Sequence, residues 1–473
     1  MTVAGRAVDG SGSDDAVRRP KAGAGDGRPP SGRATLGRSY AVTLLGSVGF
    51  LAFTLYTGVL SARLLAPDGR GAVGAIAGWA MLVTFIGGVG LREGMSWTEA
   101  RHRRLAPTVL TSTLVASFCL ALIAIGVAQI LIPFGFRAQA DSVIFYARVS
   151  MFWVLPYMVY NALGSIFGAR QRFAAVTAMR VGQPFLYAIG LTVAWWGNWA
   201  SVSQVIAIQV VSFVVPALVA LVILARESGF GRFDWTLTRG AAAFGIRAFG
   251  STFGAMANSR LDILILPAIL VASEIGLYVV AASAATMIVG LFGSLSLVVF
   301  PAAARVGGPQ AIALAQRAIR IVLLASVILA IILGGLASWL VRLLYGDDFA
   351  GAVTPLRILL PGVCCWATVS IVGSSLKAIN RPSAASISQF VGVGVTIVGL
   401  ALLVRPLGIV GAALTSTVSY ATVLAVGVML FARATGTTVR STIGPGSVLR
   451  EGIWLIRRAT STMSARFRPR NVK

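Results

Sequence analysis

The chain has 473 residues, of which 57% are hydrophobic and 12% are charged. Soluble proteins carry about 25% charged residues, so this composition excludes an ordinary globular enzyme. The net charge is +25, but the basic residues lie in the tails and in short loops between apolar stretches. That distribution indicates membrane topology and contact with anionic lipid rather than nucleic-acid binding. One histidine and three cysteines offer no metal-binding cluster, and we expect neither a metal nor another cofactor.

The apolar stretches predict membrane-spanning helices, because a helix needs about 20 apolar residues to cross the hydrocarbon core. Residues 1–38 are rich in Gly, Ser, Pro and Arg and predict a disordered basic cytoplasmic tail. Twelve spans follow, at roughly 40–64, 71–91, 108–132, 143–167, 174–196, 202–225, 243–270, 275–300, 321–344, 353–376, 384–404 and 409–431.

The predicted fold is therefore an all-α polytopic membrane protein with about twelve transmembrane helices in two six-helix pseudo-repeated lobes. We place the lobes at 39–226 and 240–432, joined by a cytoplasmic linker at 227–239. A basic cytoplasmic tail follows at 433–473, within which residues 448–458 fit either a short amphipathic helix on the membrane surface or a solvated chain.

The charges of the loops predict the orientation of the chain. The loops after the even-numbered spans hold fourteen basic residues, and those after the odd-numbered spans hold Arg70, Arg137 and Arg405. Because basic loops stay on the cytoplasmic side, both termini are expected in the cytoplasm and the protein in the inner (plasma) membrane.

A weak internal repeat relates the two halves. Residues 164–172 resemble residues 373–381 at an offset of 209, and Arg148 matches Arg357 at the same offset; residues 63–71 align loosely with 268–276 at an offset of 205. Parallel repeats around an axis along the membrane normal are a transporter architecture, so the repeat favours transport over catalysis.

Several short motifs resemble the bacterial oligosaccharide and polysaccharide flippases of the multidrug/oligosaccharidyl-lipid/polysaccharide exporter superfamily. They include residues 63–71 (RLLAPDGRG), 258–262 (NSRLD), 343–346 (LLYG), 378–382 (AINRP) and 406–413 (PLGIVGAA). The resemblance implies a two-lobed bundle that flips an undecaprenyl-diphosphate-linked oligosaccharide by alternating access. It also implies exopolysaccharide biosynthesis as the setting, with a polymerase and glycosyltransferases as possible partners beside anionic lipids.

Charged residues inside spans are the candidate site residues, because they are costly in a membrane. Guanidinium groups match phosphate oxygens, so an arginine-lined cavity suits an anionic lipid head group. The substrate-binding candidates are Arg63, Arg92, Arg148, Arg260 and Arg357; Arg180 and Arg247 also fall in spans, and any arginine near a span end can instead reach the head groups. Asp262 is the candidate for ion coupling, or it pairs with an arginine on another helix.

Three other functions remain open from the sequence. A cation-coupled multidrug exporter of the same superfamily would be expected to carry more buried acids. A membrane enzyme would need acid–base residues in a large outer loop, and the predicted outer loops are short and lack histidine; we therefore expect no enzymatic activity. A non-transporting scaffold for polysaccharide assembly would use the basic tails to bind its partners.

Overall fold

The computed structural model describes residues 32–306, 308–379, 381–444, 446 and 450–451. All regular structure in these ranges is helical. The α-helices are α1 (Gly32–Gly87), α2 (Leu91–Arg101), α3 (Ala106–Gly135), α4 (Asp141–Ser150), α5 (Val154–Ala169), α6 (Phe173–Trp196), α7 (Val202–Ser228), α8 (Trp235–Ile265), α9 (Ala272–Val306), α10 (Gly308–Tyr345), α11 (Val353–Ala378), α12 (Pro382–Thr435) and α13 (Val439–Ile443).

Two of these helices are sharply bent. The backbone of α1 leaves the helical region at Ala66, where φ is 53° and ψ is 179°. Pro67 follows and begins the second segment of α1, a position that proline favours because it has no N–H to leave unpaired. The backbone of α12 bends in the same way at Gly408, where φ is 56°. Each bent helix is therefore divided into two segments of more than 20 residues.

Eight of the described helices are long and apolar enough to cross a membrane, by length and composition alone. The bends divide two of them, and α6 and α8, with 24 and 31 residues, also exceed the length that a crossing needs. These segments correspond in position to the twelve predicted spans. Large apolar side chains cover the outer surface, as at Ile130, Phe134, Ile331 and Leu402, each at least 67% exposed, which suits contact with lipid.

The helices pack as two lobes. In the first lobe α1 packs against α3 and α6, and α5 packs against α2, α3 and α7. In the second lobe α11 packs against α9, α10 and α12, and α12 packs against α8. The repeat predicted from sequence appears in these elements, since α5 ends at Ala169 and α11 ends at Ala378, 209 residues apart. The lobes meet through α1 with α9 and α2 with α8.

We call the end of the bundle that carries the loops after α5, α7 and α11 the basic end, and the other the opposite end. At the basic end Arg170 donates to Glu99 of α2 at 2.7 Å, to Ser228 at 2.7 Å and to Glu227 at 3.2 Å. Arg172 pairs with Glu227 as well. Because Glu99 is only 1% exposed, this network fixes α2 firmly to the first lobe.

Three predicted boundaries differ from the structure. Helix α1 begins at Gly32, inside the predicted tail, and the tail's residues 1–31 lie outside the described residues. The linker is shorter than 227–239, since α7 ends at Ser228 and α8 begins at Trp235. Asp234 explains the early start of α8, because its carboxylate accepts a hydrogen bond from the Leu237 N–H at 3.0 Å.

The first residues of the predicted C-terminal tail are also structured. Helix α12 continues to Thr435, and α13 packs against α10 and α12. Gln316 donates to Thr442 at 3.2 Å, Arg320 donates to the Ser441 carbonyl at 3.0 Å, and Glu451 pairs with Arg317 at 2.7 Å. The predicted surface helix at 448–458 lies almost wholly outside the described residues.

Candidate functional site: a cavity between the lobes

A cavity of about 800 Å³ lies between the two lobes. Helices α1, α6 and α7 of the first lobe and α8, α9, α11 and α12 of the second lobe contribute to its wall. The wall begins at Ser47 near the basic end, and it reaches Tyr345, the last residue of α10, at the opposite end. A ligand in this space contacts both lobes at once.

Three arginines line this cavity: Arg70 on α1, Arg180 on α6 and Arg260 on α8. The guanidinium of Arg180 lies over the ring of Phe50, with 4.7 Å between its carbon and the ring centroid. Within the described part of the chain, none of the three forms an ion pair with a carboxylate. Asp262 is the one acidic residue among those that line the cavity, so the wall is strongly cationic.

Asp262 is buried and is held by a hydrogen-bond network of the second lobe. Its carboxylate accepts from the Tyr278 hydroxyl at 2.5 Å and from the Ile263 N–H at 2.8 Å. Tyr278 in turn shares a hydrogen bond of 3.2 Å with Ser416 of α12. The expected pairing with an arginine on another helix is therefore wrong for the described residues, because a tyrosine hydroxyl takes that place.

A second polar group lies one helical turn from Asp262 on α8. The side-chain oxygen of Asn258 accepts from Thr396 at 2.9 Å and from Ser419 at 2.7 Å. Residues four apart share a helix face, so Asn258 and Asp262 both point into the second lobe towards α12. This face of α8 is polar and buried.

Aromatic side chains form much of the remaining wall. In the first lobe Phe213 packs against Trp153 and Tyr157, with ring centroids 5.6 Å and 4.7 Å away. In the second lobe Trp366 packs against Tyr420 at 4.8 Å. The indole N–H of Trp153 is buried with no hydrogen-bond partner in the described structure. The cavity thus offers flat aromatic faces beside its charged and polar groups, a combination that suits an amphipathic ligand.

Glycines bring the lobes into contact at the opposite end. A Cβ atom on Gly71 of α1 would lie 1.7 Å from the Ala272 carbonyl oxygen of α9. A Cβ atom on Gly276 of α9 would lie 2.0 Å from the Pro67 carbonyl oxygen of α1. The two helix beginnings therefore touch backbone to backbone, which only glycine permits. We call this contact the opposite-end closure.

A second glycine contact joins the lobes at the basic end. A Cβ atom on Gly245 of α8 would lie 2.1 Å from the Gly90 carbonyl oxygen, just before α2. A Cβ atom on Gly94 would lie 2.0 Å from the Ala241 carbonyl oxygen. Trp97 stacks on Phe244 beside them, at 4.7 Å between centroids. We call this contact the basic-end closure; the helix α2 that forms it is missing from the sequence prediction.

Of the five predicted substrate-binding arginines, only Arg260 lines the cavity. Arg63 donates to the carbonyls of Leu343 and Leu344 at 2.5 Å and 2.6 Å. Arg357 donates to the Gly334 carbonyl at 3.1 Å and to Ser338 at 3.3 Å. Arg63 therefore binds carbonyl groups at the end of α10, and Arg357 binds polar groups in its middle; neither lines the cavity.

The other two predicted arginines also lie off the cavity wall. Arg92 pairs with its neighbour Glu93 at 3.0 Å. Arg148 has an exposed side chain on α4, and its carbonyl accepts from Gln129 at 2.9 Å. The structure therefore does not bring the five predicted arginines together at one place.

Arg70 is the cavity residue that sequence reasoning missed. The turn-forming run of residues 65–71 (LAPDGRG) predicts a loop that contains Arg70. In the structure the turn is confined to Ala66, and the helix restarts at Pro67. Arg70 consequently lies in a helix that faces the cavity. Arg180 also lines the cavity, and its position inside a predicted span could have identified it as a candidate.

The chain folds as a two-lobed helical bundle around a central cavity, and solved membrane transporters share this fold. The lipid II flippase MurJ in its inward closed conformation superposes with a TM-score of 0.70 at 13% identity, over 88% of this chain and 93% of that chain. An inward-facing multidrug resistance MATE family transporter of the MOP superfamily gives a TM-score of 0.66 at 15% identity, over 84% of this chain and 99% of that one. An outward-facing MATE family transporter gives 0.59 at 13% identity, over 85% and 97%.

The sequence identifies the family more closely. The profile of the polysaccharide biosynthesis protein family matches residues 60–354, and the chain belongs to that family. No curated protein matches the chain by sequence. The predicted resemblance to polysaccharide flippases of the exporter superfamily is confirmed.

Proposed function

We propose that the protein flips an undecaprenyl-diphosphate-linked oligosaccharide across the cytoplasmic membrane by alternating access of the cavity to its two ends. The observation that carries this proposal is the charge of the cavity, with three arginines on its wall and one partnered acid. A lipid diphosphate is an anion, and guanidinium groups bind phosphate oxygens in pairs of hydrogen bonds. The polyprenyl tail would stay in the bilayer while the head group occupies the cavity.

The cavity supports a sugar-bearing head group as well as a charged one. Its volume of about 800 Å³ is within the range of roughly 300–1,000 Å³ that small-molecule sites have. The aromatic faces of Trp153, Tyr157 and Trp366 suit an amphipathic carbohydrate. Membership of the polysaccharide biosynthesis family agrees with such a cargo.

Asp262 is the proposed site of ion coupling within this function. It lies on the cavity wall, is buried, and belongs to a hydrogen-bonded chain that links α8, α9 and α12. A change in its protonation or a bound cation would alter the packing of those three helices. A multidrug exporter for cations is the alternative function, and the single acid on an otherwise cationic wall disfavours it.

The experiment that tests this function follows a fluorescent undecaprenyl-diphosphate oligosaccharide in liposomes that contain the purified protein. Arg260→Ala is compared with Arg357→Ala, because Arg260 lines the cavity and Arg357 binds α10 outside it. We expect protein-dependent movement that Arg260→Ala reduces at least tenfold and that Arg357→Ala leaves within about twofold. Both variants must keep the melting temperature of the wild type.

Two results would contradict the proposal. The first is no movement of any of several glycans together with efflux of a cationic dye, which would favour the multidrug exporter. The second is the absence of both activities while polysaccharide assembly in cells still needs the protein, which would favour a scaffold.

The proposal also places the basic end in the cytoplasm, where polymerase and glycosyltransferase partners and anionic lipids could reach its basic loops.

A further inference from the structure

Arg70 occupies a special place in the cavity. It is the fourth residue after the bend at Ala66, so it lies about 6 Å from the opposite end. The next residue, Gly71, forms the opposite-end closure against Ala272 of the second lobe. Arg70 therefore lies where the cavity meets the contact that closes it.

The guanidinium of Arg70 is not fully satisfied by the protein. Its Nε atom is buried and has no hydrogen-bond partner in the described structure. Arg63, one helix segment earlier, is different, since two of its nitrogens donate to carbonyls of α10. A buried charged donor without a partner is costly. The Arg70 residue that carries this donor lines a cavity that is large enough for a ligand.

Further donors lie around Arg70. Tyr187 of α6 and Tyr345 of α10 line the same cavity and lie close enough to interact electrostatically with Arg70. A tyrosine hydroxyl donates to phosphate oxygens, as a guanidinium does. One cation and two hydroxyls from three helices thus converge on one region, and together they match an anionic oxygen-rich group.

Arg180 lies at a different depth. It is seven residues after the start of α6, so it is about 10 Å from the basic end. Arg70 and Arg180 are therefore roughly 15–20 Å apart along the bundle axis. A single phosphate or diphosphate group is too small to contact both arginines at the same time.

From these positions we infer that Arg70, with Tyr187 and Tyr345, forms a second anion subsite for the phosphate groups of a polyprenyl-linked substrate, beside the opposite-end closure. This inference rests on the proposed function and adds to it the order in which the head group meets the two arginines. The head group meets Arg180 in the basic half of the cavity and Arg70 in the opposite half. An anion at Arg70 lies against the contact that must separate for release.

Binding in nanodiscs tests this subsite without any need for transport. Native mass spectrometry would measure the fraction of full-length protein that holds undecaprenyl diphosphate, which carries no sugar. We compare Arg70→Gln, Arg70→Lys and the matched control Arg63→Gln, since Arg63 lies on the same helix outside the cavity. Undecaprenol serves as the uncharged probe, and inorganic diphosphate as the anion without lipid.

All variants carry Arg180→Gln, which removes the binding position in the basic half of the cavity. In this background we expect Arg70→Gln to weaken binding of undecaprenyl diphosphate about tenfold, because a charge-assisted hydrogen bond is lost. Arg70→Lys should bind within about threefold of the Arg180→Gln protein, and Arg63→Gln should equal it. No variant should change binding of undecaprenol. Inorganic diphosphate should compete only at far higher concentration; equally tight binding of the free anion would assign the subsite to a soluble ligand and overturn the lipid assignment.

The subsite and the proposed function can fail separately. In the Arg180→Gln background, equal binding of undecaprenyl diphosphate with Arg70 and with a folded Arg70→Gln variant overturns the subsite, even if wild type translocates glycolipid. Arg70-dependent binding without any translocation supports the subsite and contradicts the flippase function. If Arg70→Gln does not fold, Tyr345→Phe decides, since loss of the hydroxyl should weaken binding of undecaprenyl diphosphate and leave binding of undecaprenol unchanged.

Discussion

Gly71 and Gly276 lie at equivalent positions of the two halves, 205 residues apart, and contact each other's helices reciprocally across the lobe interface. Gly71 abuts the carbonyl of Ala272, and Gly276 abuts the carbonyl of Pro67, which is itself 205 residues before Ala272. The contact is thus a pseudo-symmetric one. Because both partners are backbone atoms, neither can move aside to admit a side chain without separating the helices.

Gly71→Ala should prevent the opposite-end closure. The added methyl would lie 1.7 Å from the Ala272 oxygen, so α1 and α9 must separate. Ser61, which is 1% exposed and lines the cavity, can be replaced by cysteine in a cysteine-free background. We expect an impermeant thiol reagent on the opposite side to label this cysteine several-fold faster in the Gly71→Ala variant. Gly126→Ala, where no atom lies within 4 Å, is the control; equal labelling in both would contradict the closure.

Gly245→Ala should have the converse effect at the basic end. Its methyl would lie 2.1 Å from the Gly90 oxygen, which forces α8 away from the start of α2. The matched control is Gly240→Ala on the same helix, since nothing lies within 4 Å of a Cβ atom there. Labelling of the same cavity cysteine should rise from the basic side only. Unchanged labelling in a folded Gly245→Ala variant would show that access does not depend on this contact.

Tyr278→Phe should destabilise the second lobe. The change removes the 2.5 Å hydrogen bond to Asp262 and leaves a buried carboxylate with the Ile263 N–H as its remaining partner in the described structure. Loss of a partner from a buried polar group costs about 1–3 kcal/mol. Thermal denaturation of the detergent-solubilised protein measures this cost. Tyr56→Phe removes an exposed hydrogen bond to Thr192 and should change the melting temperature little; an equal effect of both variants would refute the network's importance.

Arg170→Ala should release α2 from the first lobe. Its guanidinium joins Glu99, Glu227 and Ser228, and Glu99 would remain buried without its cation. Breaking a buried ion pair from one side costs about 3–5 kcal/mol. Glu99→Gln should cost less, because Arg170 keeps its other two partners. The free energy of unfolding, measured with a denaturant, should rank wild type, Glu99→Gln and Arg170→Ala in that order. Any other order would mean that the network does not hold α2.

Much of the fold was predictable because membrane helices obey local rules. A membrane span is recognisable as about 20 consecutive apolar residues. The basic residues lie in the loops between these apolar stretches. The repeat was visible as residues 164–172 and 373–381, and the structure ends α5 and α11 at equivalent points. Helix α2 was not predictable in this way, because Leu91–Arg101 is short and polar and gains its order from Arg170 and from α8.

The candidate site was less predictable, because an apolar span does not state which of its faces meets the other lobe. Sequence selected Arg260 and Asp262 by their depth in a span, and both line the cavity. Sequence also selected Arg63 at the end of one predicted span and Arg357 near the outer start of another, and their guanidinium groups instead reach the carbonyls of α10. A long flexible arginine side chain near a helix end can point into the cavity or bind the carbonyls of a neighbouring helix. The position of the neighbouring helix decides between these two orientations.

The sequence by itself determined the twelve apolar segments, the separation of charge between their loops, and the family. These properties depend on the local composition and order of residues, because each segment enters the bilayer or stays outside it according to its own polarity and charge. Only the tertiary structure decided that Arg70 faces the cavity, that Asp262 takes Tyr278 as its partner, and that Gly71 meets Gly276. Each of these facts depends on the distance between helices far apart in the chain, and that distance is set by packing between the lobes.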